Sequence, residues 1–230
     1  MEFVYAAELK KSYQVSAHFY YLNIANNKYL CRSVADIVEN TDSKGQPHFS
    51  ITSVPNAVVV MMNPGAARPV FHNPQDGPKL PILSRQRLFD YNRDRPQILV
   101  APDNAQYQLM RLMKLKAWRH LRIINLSDLC EGNSQKFAYL HRAISECAVD
   151  HPESILHLKR RKELSAVLKD VPHIIVAWGR QPVLKSAATA FLTSYQDVIG
   201  LARDYPWYRF ASPYRKDQKL GWLREIESTF

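Results

Sequence analysis

The chain has 230 residues, of which 46% are hydrophobic and 23% are charged, as is usual for a globular protein with a packed core. Lys and Arg number 31 against 21 Asp and Glu, and the net charge of +10 favours a polyanionic partner. No apolar run reaches the roughly 18 residues of a membrane helix, and the first residues lack a signal-like apolar stretch. The three cysteines form no CxxC pair and the histidines lack metal-ligand spacing. We therefore expect a cytoplasmic protein with no membrane segment, no metal and no other cofactor.

The first half of the chain contains one strong strand signal. Residues 1–56 are polar and aromatic without a clean period, although 18–24 has the composition of a strand. Residues 57–62 form a continuous apolar run that ends at Asn63-Pro64-Gly65, which predicts a buried strand followed by a tight turn. Four prolines between residues 66 and 84 predict a long loop, and loops of that length in a compact domain are often functional.

The second half alternates between helix and strand signals. Asp103 or Asn104 is a good cap for a helix that runs to about Trp118. Further helices are predicted at 134–149, 155–168, 182–193 and 216–227, with strands at 121–126, 173–178 and 207–211. This alternation predicts a single α/β domain over residues 1–230, a three-layer α/β/α sandwich with a mostly parallel central sheet. We expect residues 57–228 to form the core, residues 1–56 to form an extension packed on it, and the protein to be a monomer.

Polar or turn-forming residues follow three of the predicted strands. They occur in residues 61–67, 123–129 and 210–215. Because sites in parallel sheets form at the carboxyl ends of the strands, these segments are expected to meet in one cleft. Each also has an ordinary structural explanation, since Asn-Pro-Gly is a good turn and Ser-Pro often starts a helix.

Four segments, in the same order along the chain, resemble motifs of the uracil-DNA glycosylase superfamily. Residues 58–65, a hydrophobic strand and then Asn-Pro-Gly, resemble the first motif of the mismatch-specific, thymine-glycosylase-like branch. Residues 122–126 resemble the middle strand with its base-reading Asn, 173–179 the strand that ends in Trp-Gly, and 210–214 the final motif, commonly His-Pro-Ser-Pro-Leu. Residues 63–67 are also similar to an uncharacterised bacterial and phage family with an Asn-Pro-Ser-x-Ala motif. The resemblance covers about residues 57–228 and implies the superfamily's fold.

The resemblance implies a DNA glycosylase, an enzyme that hydrolyses the N-glycosidic bond of a flipped base and leaves an abasic site. Asn63 would position the attacking water, and its neutral amide predicts slow chemistry because it cannot accept a proton. Gly65 and Ala66 would bind the base through backbone N–H groups, Phe71 would stack on it, and Asn125 would read its Watson–Crick edge. The implied DNA-binding residues are Ser212, Pro213, Tyr214 and Arg215, with Tyr214 or Arg215 as the wedge that fills the gap.

Two departures from the superfamily pattern bear on the substrate. Phe210 and Ala211 replace the His-Pro of the final motif, so the histidine that would steady charge on the departing base is missing. Asn63 stands where the uracil-specific branch has Asp. The small side chains after the first motif leave room at C5 of the base, which favours a modified or mismatched pyrimidine, including the bulky bases of some viral genomes. Base excision repair and antiviral defence both fit such a substrate.

Three alternatives remain open from the sequence. The altered final motif is compatible with a DNA-binding module that keeps the fold without the chemistry. A nucleoside or nucleotide N-glycosidase would use the same site, although the positive charge favours a polymer. An adenine or cytosine methyltransferase is disfavoured because Pro64 is followed by Gly65 and no glycine-rich cofactor loop follows a strand. Basic and aromatic residues interleave in 85–93 and 207–209, which suits contact with both phosphates and bases.

Overall fold

The structure, a computed structural model, describes residues 2–40, 54–70, 80–83, 97–147 and 152–230. The strands are β1 (Tyr13–Ile24), β2 (Asn27–Glu39), β3 (Ala57–Met61), β4 (Arg68–Pro69), β5 (Ile82–Leu83), β6 (Ile98–Ala101), β7 (His120–Asn125) and β8 (Ile174–Val176). The α-helices are α1 (Ala6–Ser12), α2 (Asn104–Lys116), α3 (Ser134–Cys147), α4 (Arg161–Leu168), α5 (Lys185–Ser194) and α6 (Lys216–Glu227). Among the described residues, no helix is both long and apolar enough to cross a membrane.

The strands form one mixed sheet in the order β4-β6-β1-β2-β7-β3-β8, with β5 beside β1. Strand β3 runs parallel to β7 and to β8, and β5 runs parallel to β1. The pairs β1–β2, β1–β6, β2–β7 and β4–β6 are antiparallel. The expected α/β class is therefore confirmed in its general form, but the prediction of a mostly parallel sheet is wrong. The reason is that β2, β1, β6 and β4, which lie outside the alternating β–α pattern, extend the sheet on the side of β7 away from β3.

The N-terminal region supplies the two longest strands of this sheet. Strands β1 and β2 form a hairpin through Ala25 and Asn26, which have φ values of 47° and 64°. Two consecutive positive φ values are typical of the tight turns that match the twist of a hairpin. Residues 1–56 were expected to form an extension packed on the core. Because β2 also pairs with β7, the segment 13–39 is instead part of the sheet itself.

Apolar clusters cover both faces of the central strands. On one face, here called the α2 face, the strand residues Val59 and Ile123 share a cluster with Leu109 of α2 and Trp222 of α6. On the other face Val58 and Val60 share a cluster with residues of α3, α4 and α5, namely Phe137, Leu164 and Phe191. Neighbouring residues of β3 thus point to opposite faces, as the pleat requires. This explains why the strand is apolar at every position.

The helix predictions hold where a local signal defines the end of the helix. Asp103 caps α2 through a reciprocal capping box with Gln106, and α6 has the predicted bounds. The predicted helix 155–168 starts three residues later, with a 3-10 turn at Leu158–Arg160 that leads into α4. The predicted helix 182–193 begins with a 3-10 turn at Pro182–Leu184. The predicted strand at 207–211 is wrong: Tyr208 makes only isolated bridges, because the neighbouring Trp207 N–H donates to Asp204 O in a turn.

A buried ion cluster joins β2 to β7. The Asp36 carboxylate Oδ1 accepts hydrogen bonds from Arg122 Nε at 2.8 Å and contacts His120 Nε2 at 2.7 Å. Burial opposes ionisation of Asp36, but Arg122 and His120 outweigh it and lower the pKa of the carboxyl group. The charged form of Asp36 therefore stabilises the contact between the hairpin and the parallel strands.

We predict that Asp36 contributes to the acid sensitivity of the fold. Its folded-state pKa lies below the ordinary value of 3.8, so its contribution is complete above about pH 4 and is lost as the pH falls through the folded-state value. Asp36→Asn should lower the free energy of unfolding by roughly 2 kcal/mol at pH 7, with a smaller deficit below pH 4. Urea unfolding of both proteins between pH 3 and pH 7 tests this, and a deficit independent of pH would contradict it.

Candidate functional site

The ends of three parallel strands lie side by side at one edge of the sheet. Met61 of β3 pairs with Asn125 of β7, and the chain after β7 continues beside β3, since Leu126 N donates to Met61 O at 2.8 Å. On the other side of β3, Ala177 N donates to Val60 O at 2.9 Å. The structure therefore brings together the first three of the four segments that resemble superfamily motifs, namely 58–65, 122–126 and 173–179.

The last segment and the start of α2 complete this edge. A Cβ built on Gly179 would lie 3.4 Å from Phe210 Cβ, so the segment 173–179 contacts the segment 210–214. Ser212 Oγ donates to Asn104 O at 3.1 Å, in the first turn of α2. On the first segment, a Cβ built on Gly65 would lie 3.2 Å from Oδ2 of the α2 cap Asp103. The N-terminus of α2 thus contacts both the segment 58–65, at Gly65, and the segment 210–214, at Ser212. We call this region the strand-end site.

Asn63 is half-buried and held in one orientation. Its Nδ2 donates to the carbonyl oxygens of Leu129 at 3.2 Å and Glu131 at 2.6 Å. Two carbonyl acceptors identify the amide nitrogen, which places Oδ1 on the opposite side of the side chain. Asn63 thus presents a fixed hydrogen-bond acceptor at the end of β3.

Asn125 is the most unusual polar residue of the site. Its side chain is 0% exposed, and neither Oδ1 nor Nδ2 has a hydrogen-bond partner in the described part of the chain. Burying an unpaired amide costs about 1–3 kcal/mol for each unsatisfied group, so such a residue requires an explanation. A ligand with one donor and one acceptor side by side would satisfy both atoms.

The turn after β3 has a backbone that favours glycine. Gly65 has φ +65°, a conformation that other L-residues adopt only with strain. Arg68 Nη1 donates to Gly65 O at 3.3 Å and to Ala67 O at 3.1 Å, which closes the turn. Ala66 is exposed on it, and a Cβ built on Gly132 would lie 3.1 Å from Ala66 Cβ. The small residues therefore allow the two loops to approach closely.

The predicted DNA-binding residues lie next to a basic cavity. Pro213 and Phe210 line a cavity of about 300 Å³ together with three arginines, Arg180, Arg203 and Arg209. Arg180 and Arg209 also form ion pairs at its rim, with Asp204 at 3.5 Å and with Glu225. Tyr214 is 96% exposed. Arg215 is also exposed and pairs with Asp217 at 2.8 Å.

Two observations limit the chemistry available at this site. Burial raises the pKa of the nearby Cys130 thiol to about 12, although Arg32 and Arg68 act against this shift, so Cys130 is not a thiolate nucleophile at neutral pH. Within the described ranges, no group of three or more His, Cys, Asp or Glu side chains is arranged to hold a metal ion. The polar groups at the strand ends are amides, a hydroxyl and guanidinium groups, together with the carboxylates of Asp103 and the buried Asp128.

One residue of the site was not predicted from the sequence, and one predicted residue lies outside the described residues. Arg32 of β2 is buried at this edge, and its backbone N–H donates to Asp128 O at 2.8 Å. The only available signal was a charged residue within a run of hydrophobic and small residues, and β2 itself was not predicted. Phe71, the predicted stacking residue, falls outside the residues that the structure describes.

Comparison of the chain with protein-family models, with curated proteins and with solved structures gives no match. The geometry and chemistry of the strand-end site therefore carry the functional conclusion.

Proposed function

We propose that this protein is a DNA glycosylase that hydrolyses the N-glycosidic bond of a flipped, modified or mismatched pyrimidine and leaves an abasic site. The observation that carries the proposal is Asn125, a fully buried amide whose two polar atoms are unpaired among the described residues. On the neighbouring parallel strand it pairs with Met61, two residues before the fixed amide of Asn63. A flipped base, with a donor and an acceptor on its Watson–Crick edge, satisfies both atoms of Asn125.

In the proposed reaction the bond between the sugar C1′ and the base nitrogen breaks, and its electron pair leaves with the base. A water oxygen then bonds to C1′ and its released proton passes to solvent or to the departed base. Asn63 Oδ1 accepts a hydrogen bond from this water and thereby orients it. Because the amide cannot accept a proton, catalysis depends on positioning and on electrostatic stabilisation of the charged transition state.

The surroundings of the strand-end site fit a DNA substrate. Pro213 lines the cavity together with three arginines, and Ser212, Tyr214 and Arg215 are its neighbours in the chain. Guanidinium groups are well suited to bind phosphates. The nearly fully exposed Tyr214 is available as the wedge that replaces the flipped base in the stack. The net charge of +10 favours association with a polyanion.

The fold and the first turn support the more specific parts of the proposal. Strands β7, β3 and β8 are parallel, Ile199 makes a parallel bridge to Ile175, and helices pack on both faces of these strands. This arrangement favours a three-layer α/β/α sandwich of the uracil-DNA glycosylase kind. Gly65, Ala66 and Ala67 place no large side chain after β3, which favours a base with a C5 substituent, including the hypermodified bases of viral DNA. Base excision or antiviral defence would follow from that preference.

The test is an assay for abasic sites. Labelled DNA carrying uracil, thymine mismatches or C5-modified cytosines, together with hypermodified viral DNA, is incubated with the protein and treated with alkali. We expect strand cleavage at one class of base, and we expect Asn63→Ala to lower the rate about 100-fold. Asn23→Ala, at an exposed position of β1, is the matched control and should cleave at the rate of the unmodified protein.

One observation favours a second function, a DNA-binding module without catalysis. Phe210 occupies the position where the superfamily has its histidine, and its side chain is partly exposed beside the basic cavity. Retained DNA binding without abasic sites on any substrate would support this second function and reject the glycosylase. Release of base from free nucleosides or nucleotides, but not from DNA, would instead indicate an N-glycosidase of small substrates.

A further inference from the structure

Arg32 points toward the same face of the sheet as Asn125. Arg32 pairs directly with Phe19 across the hairpin, and directly paired residues share a face. Phe19 belongs to the cluster of the α2 face, which also contains Ile123. Asn125 lies two residues after Ile123 on β7 and therefore points the same way. Since β2 runs antiparallel to β7, Arg32 lies toward the carboxyl end of β7, where Asn125 lies.

Arg32 is a buried cation, and two of its guanidinium nitrogens are unpaired among the described residues. Its side chain is 2% exposed, and its Nε and Nη1 atoms have no hydrogen-bond acceptor in the described part of the chain. Burial lowers the pKa of the guanidinium, while Cys130, Asp103 and Asp128 act in the opposite direction. An arginine nevertheless stays protonated in a protein.

Each of the other buried arginines has hydrogen-bond acceptors within the described chain. Arg111 donates to Val4 O at 2.8 Å and to Gln108 Oε1 at 3.3 Å. Arg122 donates to the Asp36 carboxylate at 2.8 Å, and Arg160 donates to Asp128 at 2.6 Å and to Glu163. Among the described residues, no carboxylate lies within ion-pair distance of Arg32. An uncompensated buried charge is costly, and an anionic ligand at this edge would compensate it.

We propose that Arg32 binds the negative charge that develops on the departing base. This inference rests on the proposed glycosylase function and deepens it. When the bond between C1′ and the base nitrogen breaks, the electron pair remains on the base, and its carbonyl oxygen accepts a hydrogen bond from Arg32. The base anion later takes a proton from water, and Arg32 keeps its own protons throughout.

The chemistry of the site explains why a cation is needed here. Asn63 and Asn125 are neutral, and the superfamily's charge-stabilising histidine is replaced by Phe210. Arg68 is exposed, and its Nη1 already donates to the carbonyls of the first turn. Arg32 therefore supplies positive charge to this edge from β2, a strand that the superfamily motifs do not include.

The first experiment measures the excision rates of the unmodified protein, Arg32→Met and Arg32→Lys on two DNA substrates. The two substrates are identical except at C5 of the excised pyrimidine, where one has fluorine and the other has methyl. Fluorine makes the base a better anion. We expect Arg32→Met to lose at least about 100-fold in rate on the methyl substrate and clearly less on the fluoro substrate, with partial recovery in Arg32→Lys. Arg119→Met, a loss of charge at an exposed position, is the matched control and should change neither rate. An equal loss on both substrates, or no loss, would overturn the inference.

The second experiment needs no glycosylase activity. 5-Nitrouracil ionises in the neutral range and is titrated into the protein by ultraviolet absorption, with uracil as the neutral comparison. The protein should bind the anion at least about tenfold more tightly than Arg32→Met does, with no such difference for uracil. Anion binding that depends on Arg32, without excision from any DNA, would reject the glycosylase and retain Arg32 as an anion-binding residue. If the unmodified protein excises a base and Arg32→Met binds the 5-nitrouracil anion equally tightly, the role of Arg32 is overturned and the glycosylase proposal is retained.

Thermal unfolding separates this role from a structural one. Methionine fills a similar volume without a charge, so Arg32→Met should be at least as stable as the unmodified protein. A midpoint lowered by several degrees would show that Arg32 supports the fold and would overturn the inference.

Discussion

Replacing Asn125 with leucine is expected to abolish base excision and to make the protein more stable. Leucine has a similar size, and it removes a buried amide whose two polar atoms are unpaired in the described structure. The free energy of unfolding should rise by about 1 kcal/mol, because the desolvation cost of the amide disappears. The value of kcat/KM should fall at least about 100-fold, because the bound base would lose the donor and the acceptor that Asn125 provides.

The matched control is Asn56, which lies at the opposite edge of the same strands. Its Oδ1 accepts hydrogen bonds from Arg119 N and His120 N, both at 3.0 Å. Asn56→Leu should therefore lower stability and leave excision unchanged, the reverse of the effect at Asn125. Urea unfolding and the abasic-site assay on both variants provide the comparison. Loss of stability in Asn125→Leu with full activity would show that Asn125 serves the fold instead of a ligand.

The elements that could be predicted from the sequence are those with complete local signals. Helix α2 has both halves of its capping box, Asp103 and Gln106, within its first turn. Strand β3 is apolar throughout because both of its faces are covered, and Asn63-Pro64-Gly65 marks its end. In such segments the information that determines the structure lies within a few residues.

The hairpin could not be predicted because its polar residues find their partners far along the chain. His18 Nδ1 contacts Ser33 Oγ at 2.7 Å, and Asp36 pairs with Arg122 of β7. Polar side chains at buried positions break the alternation by which strands are recognised. The mixed direction of the sheet was missed for the same reason, because β1 and β2 bring antiparallel pairing to it.

The site was only partly predictable. Asn63 and Asn125 follow from the strand-end rule, which requires only that two neighbouring strands run parallel. The carbonyl groups of Leu129 and Glu131 that orient Asn63 carry no side-chain signal. Arg32 was missed because its position depends on the register between β1 and β2, and on the pairing of β2 with β7, which only the folded chain defines.

Replacing Arg160 with methionine is expected to cause the largest loss of stability. Arg160 donates to Asp128 Oδ2 at 2.6 Å and to Tyr20 Oη at 3.2 Å, and it forms two hydrogen bonds to Glu163. Without it, two buried carboxylates lose their cation, and the free energy of unfolding should fall by about 3–5 kcal/mol at pH 8. Arg161→Met, at the next and exposed position, should change it by less than about 0.5 kcal/mol.

The pH dependence of the Arg160→Met variant identifies the cause of this loss. Burial already raises the pKa of Asp128 to about 6 although Arg160 acts to lower it, so without Arg160 the pKa should rise further. A carboxyl group with a raised folded-state pKa destabilises the fold progressively as the pH rises from its unfolded-state pKa of about 3.8 to its folded-state pKa, so the deficit should be smaller at pH 5 than at pH 8. A deficit of the same size at both pH values would show that lost packing, and not uncompensated charge, causes the loss.

Because the segment after Asp128 supplies the carbonyls that hold Asn63, excision should also weaken in Arg160→Met and recover toward pH 5 as that segment is restored.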